Sequence, residues 1–348
     1  MLKPYVFTSV TRIADLHTSA FDVARLPRDQ WADGDYVVAK VTGKPSPLYR
    51  FELANGRIVE VMEDTPAVGA FGKRAATLEA AGDWAAIGDD GRMDALTGAG
   101  LFGKASSVAP ALPRLMSLTY SGHVVRGGRK LTMEDFVPAT PRARFSMPVV
   151  LLIGTSMSAG KTTTGRIIIH ELKRAGYNVA GAKFTGAGRY RDVLAFGDAG
   201  ADTIVDFVDA GLPSTVVAPT RFARAMDHML ATIAARNADV LVAEAGASPL
   251  EPYNGDTAVR MLGANVCFTV LCASDPYAVV GVREAFKIEP DIVTGPTANT
   301  QAGIDLVREL TGLEAVNLFD AQAIPRLIEL LRPRLPAAAE ATDEAARP

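Results

Sequence analysis

Apolar and polar positions follow two rhythms along the 348-residue chain. Through residues 1–140, short apolar runs alternate with polar positions and stop at turn residues. Residues 36–41 read as a strand, and 49–53 with 58–61 read as a hairpin. Asn55-Gly56 at its tip would supply the paired positive-φ positions of a tight turn. Asp89-Asp90-Gly91-Arg92 marks a further turn. The string Phe-Gly-Lys occurs at 71–73 and again at 102–104. A duplicated β element would extend the likeness further, so chance is the favoured source. This rhythm predicts a small, mainly β domain over 1–140.

From residue 147 continuously apolar runs alternate with amphipathic ones. Strands are expected at 149–153, 178–184, 214–217, 239–243, 266–271, 292–294 and 316–318. Helices are expected at 161–175, 202–210, 220–236, 255–262, 276–286, 299–311 and 321–331. In 202–210 the helical reading rests on Ile204, Val205, Phe207 and Val208. Asp198, Asp202 and Asp206 would then share one side of a helix, as a charged outer face rather than a second metal site. Strand–helix alternation with apolar strands predicts an α/β fold, a mainly parallel sheet covered by helices on both faces. The proline-broken stretch 136–144 reads as a linker, giving a second domain over 141–334. Residues 335–348 are low in complexity and read as a disordered tail.

Composition narrows the class. With 48% hydrophobic and 22% charged residues the chain is a folded globular protein rather than a disordered one. A formal net charge of -3 and the lack of a basic run argue against nucleic acid as a partner. The start lacks a signal-peptide pattern and no apolar stretch is long enough to span a bilayer, so a cytoplasmic protein without a membrane partner is expected. Cys267 and Cys272 sit five apart in one apolar run, on opposite faces of a strand, which argues against a disulfide or metal pair. His17, His123, His170 and His228 are scattered and suggest no metal cluster or catalytic dyad.

The chemistry concentrates in Val149-Val-Leu-Leu-Ile-Gly-Thr-Ser-Met-Ser-Ala-Gly-Lys-Thr-Thr163, a strand running into a glycine-containing loop and a helix. A triphosphate must be met by oriented donors, and backbone N–H groups at a helix N-terminus provide them. Gly154, Thr155, Ser158, Ala159 and Gly160 would form the cradle. Lys161 would reach the β and γ oxygens, Thr162 would ligate Mg²⁺, and Thr163 would touch the α-phosphate. The strict pattern asks for glycine at 155, whereas here the glycine is Gly154.

Gly154-Thr-Ser-Met-Ser-Ala-Gly-Lys-Thr162 resembles the phosphate loop of dethiobiotin synthetase and its P-loop NTPase relatives. Gly176-Tyr-Asn-Val-Ala-Gly-Ala-Lys-Phe184 is similar to that family's second strand, which implies an active-site lysine at Lys183. Asp239-Val-Leu-Val-Ala-Glu-Ala-Gly246 is similar to its acidic strand, which implies a metal-side acid at Glu244, with Ala245 in place of a family glycine. The resemblance covers about residues 147–320, and the first 140 are foreign to it. It also implies a homodimer.

Other positions carry two open readings. Arg189 and Arg191 suit a carboxylate or phosphate, or belong to a solvated loop. Glu251, Tyr253 and Asn254 line a substrate pocket or shape a turn. Asn299 bonds a nucleotide base or caps the next helix. A charge directly after an apolar strand needs a partner, which favours a metal role for Glu244. The leading expectation is an ATP- and Mg²⁺-dependent ligase or kinase that activates a carboxylate or carbamate of a small metabolite, with Lys161, Lys183 and Glu244 in the catalytic machinery. The alternative is a nucleotide-driven switch that acts on a protein partner or delivers a cofactor. Thr155, Ser156 and Met157 leave no second lysine early in the loop, which argues against the dimerising partition-type switches.

Overall fold

In the computed structural model, which describes residues 5–43, 49–246, 248 and 250–337, the two rhythms give two separate sheets. Most of the expected tail, 338–348, lies outside the described residues.

The first half contributes β1 (Val6–Phe7), β2 (Asp22–Ala24), β3 (Tyr36–Thr42), β4 (Arg50–Glu52), β5 (Ile58–Glu60) and β6 (Pro66–Phe71). It continues with β7 (Lys73–Ala75), β8 (Ala80–Asp83), β9 (Arg92–Thr97), β10 (Leu101–Val108), β11 (Ser117–Arg126) and β12 (Arg129–Lys130). Neighbours run β6-β3-β11-β9-β10, and β10 returns to pair with β6, so these strands close into a ring. The closing pair is parallel, with Leu101 opposite Ala70 and Phe102 opposite Phe71. Phe71 and Phe102, the first residues of the two Phe-Gly-Lys strings, are therefore neighbours, and beyond them Lys73 and Lys104 both lie opposite Asp83 of β8. Alternation along β3 explains its double burial. Val37, Ala39 and Val41 fill the ring, while Tyr36 and Val38 pack outward. The β4–β5 hairpin forms as expected, but its turn differs. Gly56 takes a positive φ of 83° and Asn55 does not, so the loop is the longer kind with one left-handed residue.

The second half contains β13 (Val149–Gly154), α1 (Lys161–Arg174), β14 (Val179–Thr185), α2 (Tyr190–Asp198), β15 (Thr203–Asp206), α3 (Pro219–Ala234) and β16 (Val240–Ala245). After these come α4 (Gly255–Leu262), β17 (Val266–Cys272), α5 (Pro276–Phe286), β18 (Ile292–Thr294), α6 (Gln301–Thr311) and α7 (Ile324–Leu331). The sheet order is β15-β14-β16-β13-β17-β18 and every pairing is parallel. Along β13, Val149, Leu151 and Ile153 face α3 to α6, while Val150 and Leu152 face α1, α2 and α7. A strand covered on both faces has no polar side, which is why its sequence reads as an unbroken apolar run.

Three expected elements are corrected. Residues 202–210 are not a helix; β15 occupies their start, pairs with β14, and runs into turns. Asp198, Asp202 and Asp206 consequently share no helix side. The helix sits earlier, as α2, where a loop was expected as far as Asp192. Segments 214–217 and 316–318 are not strands, and near them only isolated bridges form, Ala187 to Ser214 and Val293 to Ala315.

Candidate functional site

The central strand β13 ends in the loop 155–160 before α1, and the site is built around that turn. Gly160 takes φ 96°, ψ 8° and starts the helix, which has neither a side-chain cap nor an acidic residue in its first turn. The first amides of a helix have no acceptor within it, so this N-terminus is left with unanswered donors and partial positive charge. Lys161 is 1% exposed, and its Nζ donates to the Ser156 carbonyl at 2.6 Å. Its stem lies directly over Gly154, where a Cβ would fall 2.7 Å from Nζ and 3.0 Å from Cδ. Burial pushes the Lys161 ammonium below the ordinary lysine value, and Glu244 opposes this only in part. Thr155 accepts a hydrogen bond from the Ser274 amide at 3.0 Å; Ala159 is buried, Ser158 exposed, and Thr162 and Thr163 half-buried.

The acid and the second lysine come from strands beside β13. In the β14–β16 ladder Lys183 lies opposite Glu244, and both are buried. The Thr162 hydroxyl donates to Glu244 Oε2 at 3.0 Å. Lys183 forms an ion pair with Asp192 of α2. Burial alone would lower the Lys183 ammonium, but Asp192 and Glu244 outweigh it and hold it above the ordinary lysine value. A lysine and threonine on the first turn of α1, an acid at the end of β16, and the parallel sheet between them are now in place. The fold is an α/β one, a parallel six-stranded sheet covered by helices on both faces, with the loop at the end of its central strand.

No protein-family model matches the chain, and no curated protein matches its sequence. Solved structures align with part of the chain. Chloroplast FtsY from Physcomitrella patens is 18% identical, with 56% of this chain and 67% of that one aligned and a TM-score of 0.37. A DUF1611 family protein from Anabaena variabilis is 17% identical over 60% of this chain and 65% of that one, TM-score 0.40. Signal Recognition Particle 54 kDa protein from Aeropyrum pernix, in complex with GDP, is 20% identical over 56% of this chain and 47% of that one, TM-score 0.34. The chain spans about two thirds or less of the length of these proteins.

A cavity of about 150 Å³ opens at the ends of β14 and β16, and Thr162, Lys183, Arg189, Asp192 and Glu244 line it. The β-rich half supplies the facing wall through Arg74, Glu79 and Thr97. Sequence reasoning missed these three and Asp192. Arg191 is exposed and lies outside this cavity, in a neighbouring one. Glu251, Tyr253 and Asn254 are brought together elsewhere, as a clasp. Glu251 accepts from the Thr77 amide at 3.0 Å and hydroxyl at 2.6 Å, the Tyr253 hydroxyl accepts from the Ala75 amide at 2.9 Å, and Asn254 donates to the Thr215 carbonyl at 2.8 Å. Asn299 is exposed beyond β18 and is not the cap of α6. That cap is Thr300, whose hydroxyl accepts from the Gly303 amide.

Among the described residues no group of three or more His, Cys, Asp or Glu side chains is placed to hold a metal ion. None of the helices described is long and apolar enough to cross a membrane. Cys267 and Cys272 are both free.

Proposed function

We propose that the chain is an ATP- and Mg²⁺-dependent phosphoryl-transfer enzyme, of ligase or kinase type, acting on a carboxylate or carbamate of a small metabolite. The observation that carries this is the Thr162–Glu244 hydrogen bond at 3.0 Å, beside Lys161 and an uncapped helix N-terminus. Two oxygen donors of this kind suit Mg²⁺, which prefers oxygen and keeps several waters. Thr162 and Glu244 would hold the ion, and when bound it neutralises charge on the β and γ oxygens. The loop of Gly154, Thr155, Ser158, Ala159 and Gly160 would cradle the phosphates, with the Thr155 and Ala159 amides, which donate here to the Cys272 and Ser156 carbonyls, giving up those bonds to do so, and with Thr163 next in line and Asn299 near the base. Lys161 exchanges the Ser156 carbonyl for the γ-phosphate. Lys183, kept charged by its carboxylate neighbours, orients the acceptor or the transferring group, with Arg189 beside it. An acceptor oxygen bonds to the γ phosphorus as the bond to the β–γ bridging oxygen breaks, and the nucleoside diphosphate leaves with the electron pair. Such catalysis is mostly positioning and electrostatics, so no separate acid–base pair is required. The resemblance to dethiobiotin synthetase supports the acceptor class and a homodimer. The net charge of -3 supports a small-molecule partner rather than nucleic acid.

A nucleotide-driven switch remains the second reading because of one contact. Ser158 of the loop lies 3.5 Å from Glu79 of the β-rich half, a route by which nucleotide state would reach the rest of the chain.

Phosphate release from Mg·ATP, with and without a panel of small carboxylic and amino acids, tests the proposal. Strong stimulation by one acid is expected, and slow release indifferent to all of them would favour the switch. Lys161→Ala should weaken triphosphate binding about 100-fold, and Glu244→Gln should lower turnover by a similar factor while nucleotide still binds. Unchanged triphosphate affinity in Lys161→Ala would overturn the proposal.

A further inference from the structure

A second cavity, of about 460 Å³, adjoins the crevice and shares Arg74, Glu79, Thr97 and Arg189 with it. That volume is in the range of small-molecule sites. Arg74 is 5% and Thr97 7% exposed. Arg74 donates to the Leu96 carbonyl at 2.7 Å and pairs with Glu79, yet its Nε has no hydrogen-bond partner among the described residues. The Thr97 hydroxyl, equally, has none. Leaving two such groups buried and unanswered is costly, and both residues line the cavity. Arg189 and Arg191 also line it and form no ion pair among the described residues. The lining also has an apolar part, with Leu112, Leu115 and Met116.

We infer that this cavity is the acceptor site, and that it takes a carboxylate carried on a hydrocarbon stem. The carboxylate would meet Arg74, Thr97 and Arg189 on the shared wall, with Arg191 at the rim and the stem against the apolar side. Guanidinium forks match a carboxylate, and the apolar lining offers nothing to a free phosphate. Glu52 on the same lining is already used, since it accepts from the Tyr190 and Arg191 amides at 2.8 Å each. The β-rich half thereby becomes the part that selects the acceptor. This inference rests on the proposed transfer reaction, since the shared wall places the acceptor next to Lys183 and the nucleotide loop.

The test uses the full chain and two probes, hexanoate and its uncharged counterpart hexanamide, with a non-hydrolysable ATP analogue and Mg²⁺ titrated separately. Hexanoate at saturating concentration should raise the melting temperature by about 2 °C or more, and hexanamide should not. Thr97→Val and, independently, Arg191→Gln should weaken hexanoate binding about tenfold by calorimetry, and Arg191→Gln, which lies outside the crevice, should leave analogue binding unchanged. Lys161→Ala should do the opposite. Failure of hexanoate to bind, equal binding of hexanamide, or wild-type hexanoate affinity in both wall variants would overturn the acceptor site. Retained analogue affinity in Lys161→Ala would instead sink the nucleotide reading, while hexanoate lost only in the wall variants would still uphold this site.

Discussion

At the residue scale the informative departure is the glycine one place early in the phosphate loop. Position 155 tolerates threonine, whose hydroxyl is engaged with Ser274. The steric need has moved to Gly154, because the Lys161 stem crosses its Cα and a Cβ there would stand 3.0 Å from Cδ and 3.2 Å from Cγ. Contacts this tight are uncommon and the one to Nζ, at 2.7 Å, is tighter still, so the lysine would have to shift from its course. Gly154 sits at the end of a strand and needs no unusual backbone angle, so Gly154→Ala should fold. Its triphosphate affinity should fall about tenfold, from the displaced lysine alone. Calorimetry with a non-hydrolysable analogue decides this, and an unaltered affinity would show that Lys161 does not approach the phosphates across Gly154.

At the element scale α2 shows what the sequence could and could not convey. Local signals sufficed for β13, α1, β14, β16, β17 and β18, each an apolar run with its own breakers, and for the loop chemistry at Gly160, Lys161 and Thr162. They failed for α2. Its N-cap residue is Arg189, which provides no side-chain cap, so nothing nearby announces a helix start. The cap arrives from β4 in the other half. Glu52 accepts the Tyr190 and Arg191 amides at 2.8 Å and the Ser9 hydroxyl at 2.5 Å. A contact between residues 138 positions apart is invisible to any local window. The misreading of 202–210 has a related cause. Apolar residues in that short run satisfy either period, and only the open edge of β14 decides for a strand. Arg74, Glu79 and Thr97 were equally illegible, since the closing of the ring brings them to the crevice. Glu52→Ala should therefore act at a distance. It should cost about 2 kcal/mol, and amide exchange at Tyr190 and Arg191 should speed up ahead of the rest of α2. Exchange left as slow as in the wild type would mean that α2 is held by packing alone.

At the scale of the whole molecule, the halves share their interior. Val10, Tyr36, Val38, Val68 and Val124 belong to the same apolar cluster as Val149, Leu151, Phe184 and Phe207. Ion pairs fasten the seam. Arg12 reaches Asp206 at 2.5 Å and Asp209 at 2.8 Å, and Arg221 of α3 reaches Asp33 at 2.6 Å and Glu134 at 2.9 Å. The seam carries a pH signature at Asp33. Burial raises its carboxyl to about 6, although Arg221 and Lys73 pull it down, and Asp83 adds to the rise. Its Oδ1 also has no hydrogen-bond partner among the described residues. A raised acid binds a proton more tightly folded than unfolded, so its contribution is fully present below about 4 and is lost as pH rises toward 6. The shift corresponds to up to about 3 kcal/mol. Asp33→Asn cannot titrate and should lack this slope. Measured by urea denaturation, the variant should gain on the wild type by about 2–3 kcal/mol between pH 4 and pH 7, whatever its absolute stability from the altered contact with Arg221. Because Asp33 lies on the first half and Arg221 on the second, that gain should appear in a single unfolding transition seen alike by probes in either half. A stability difference that does not vary with pH would mean that Arg221 and Lys73 offset burial in full and that the seam carries no pH signature at Asp33.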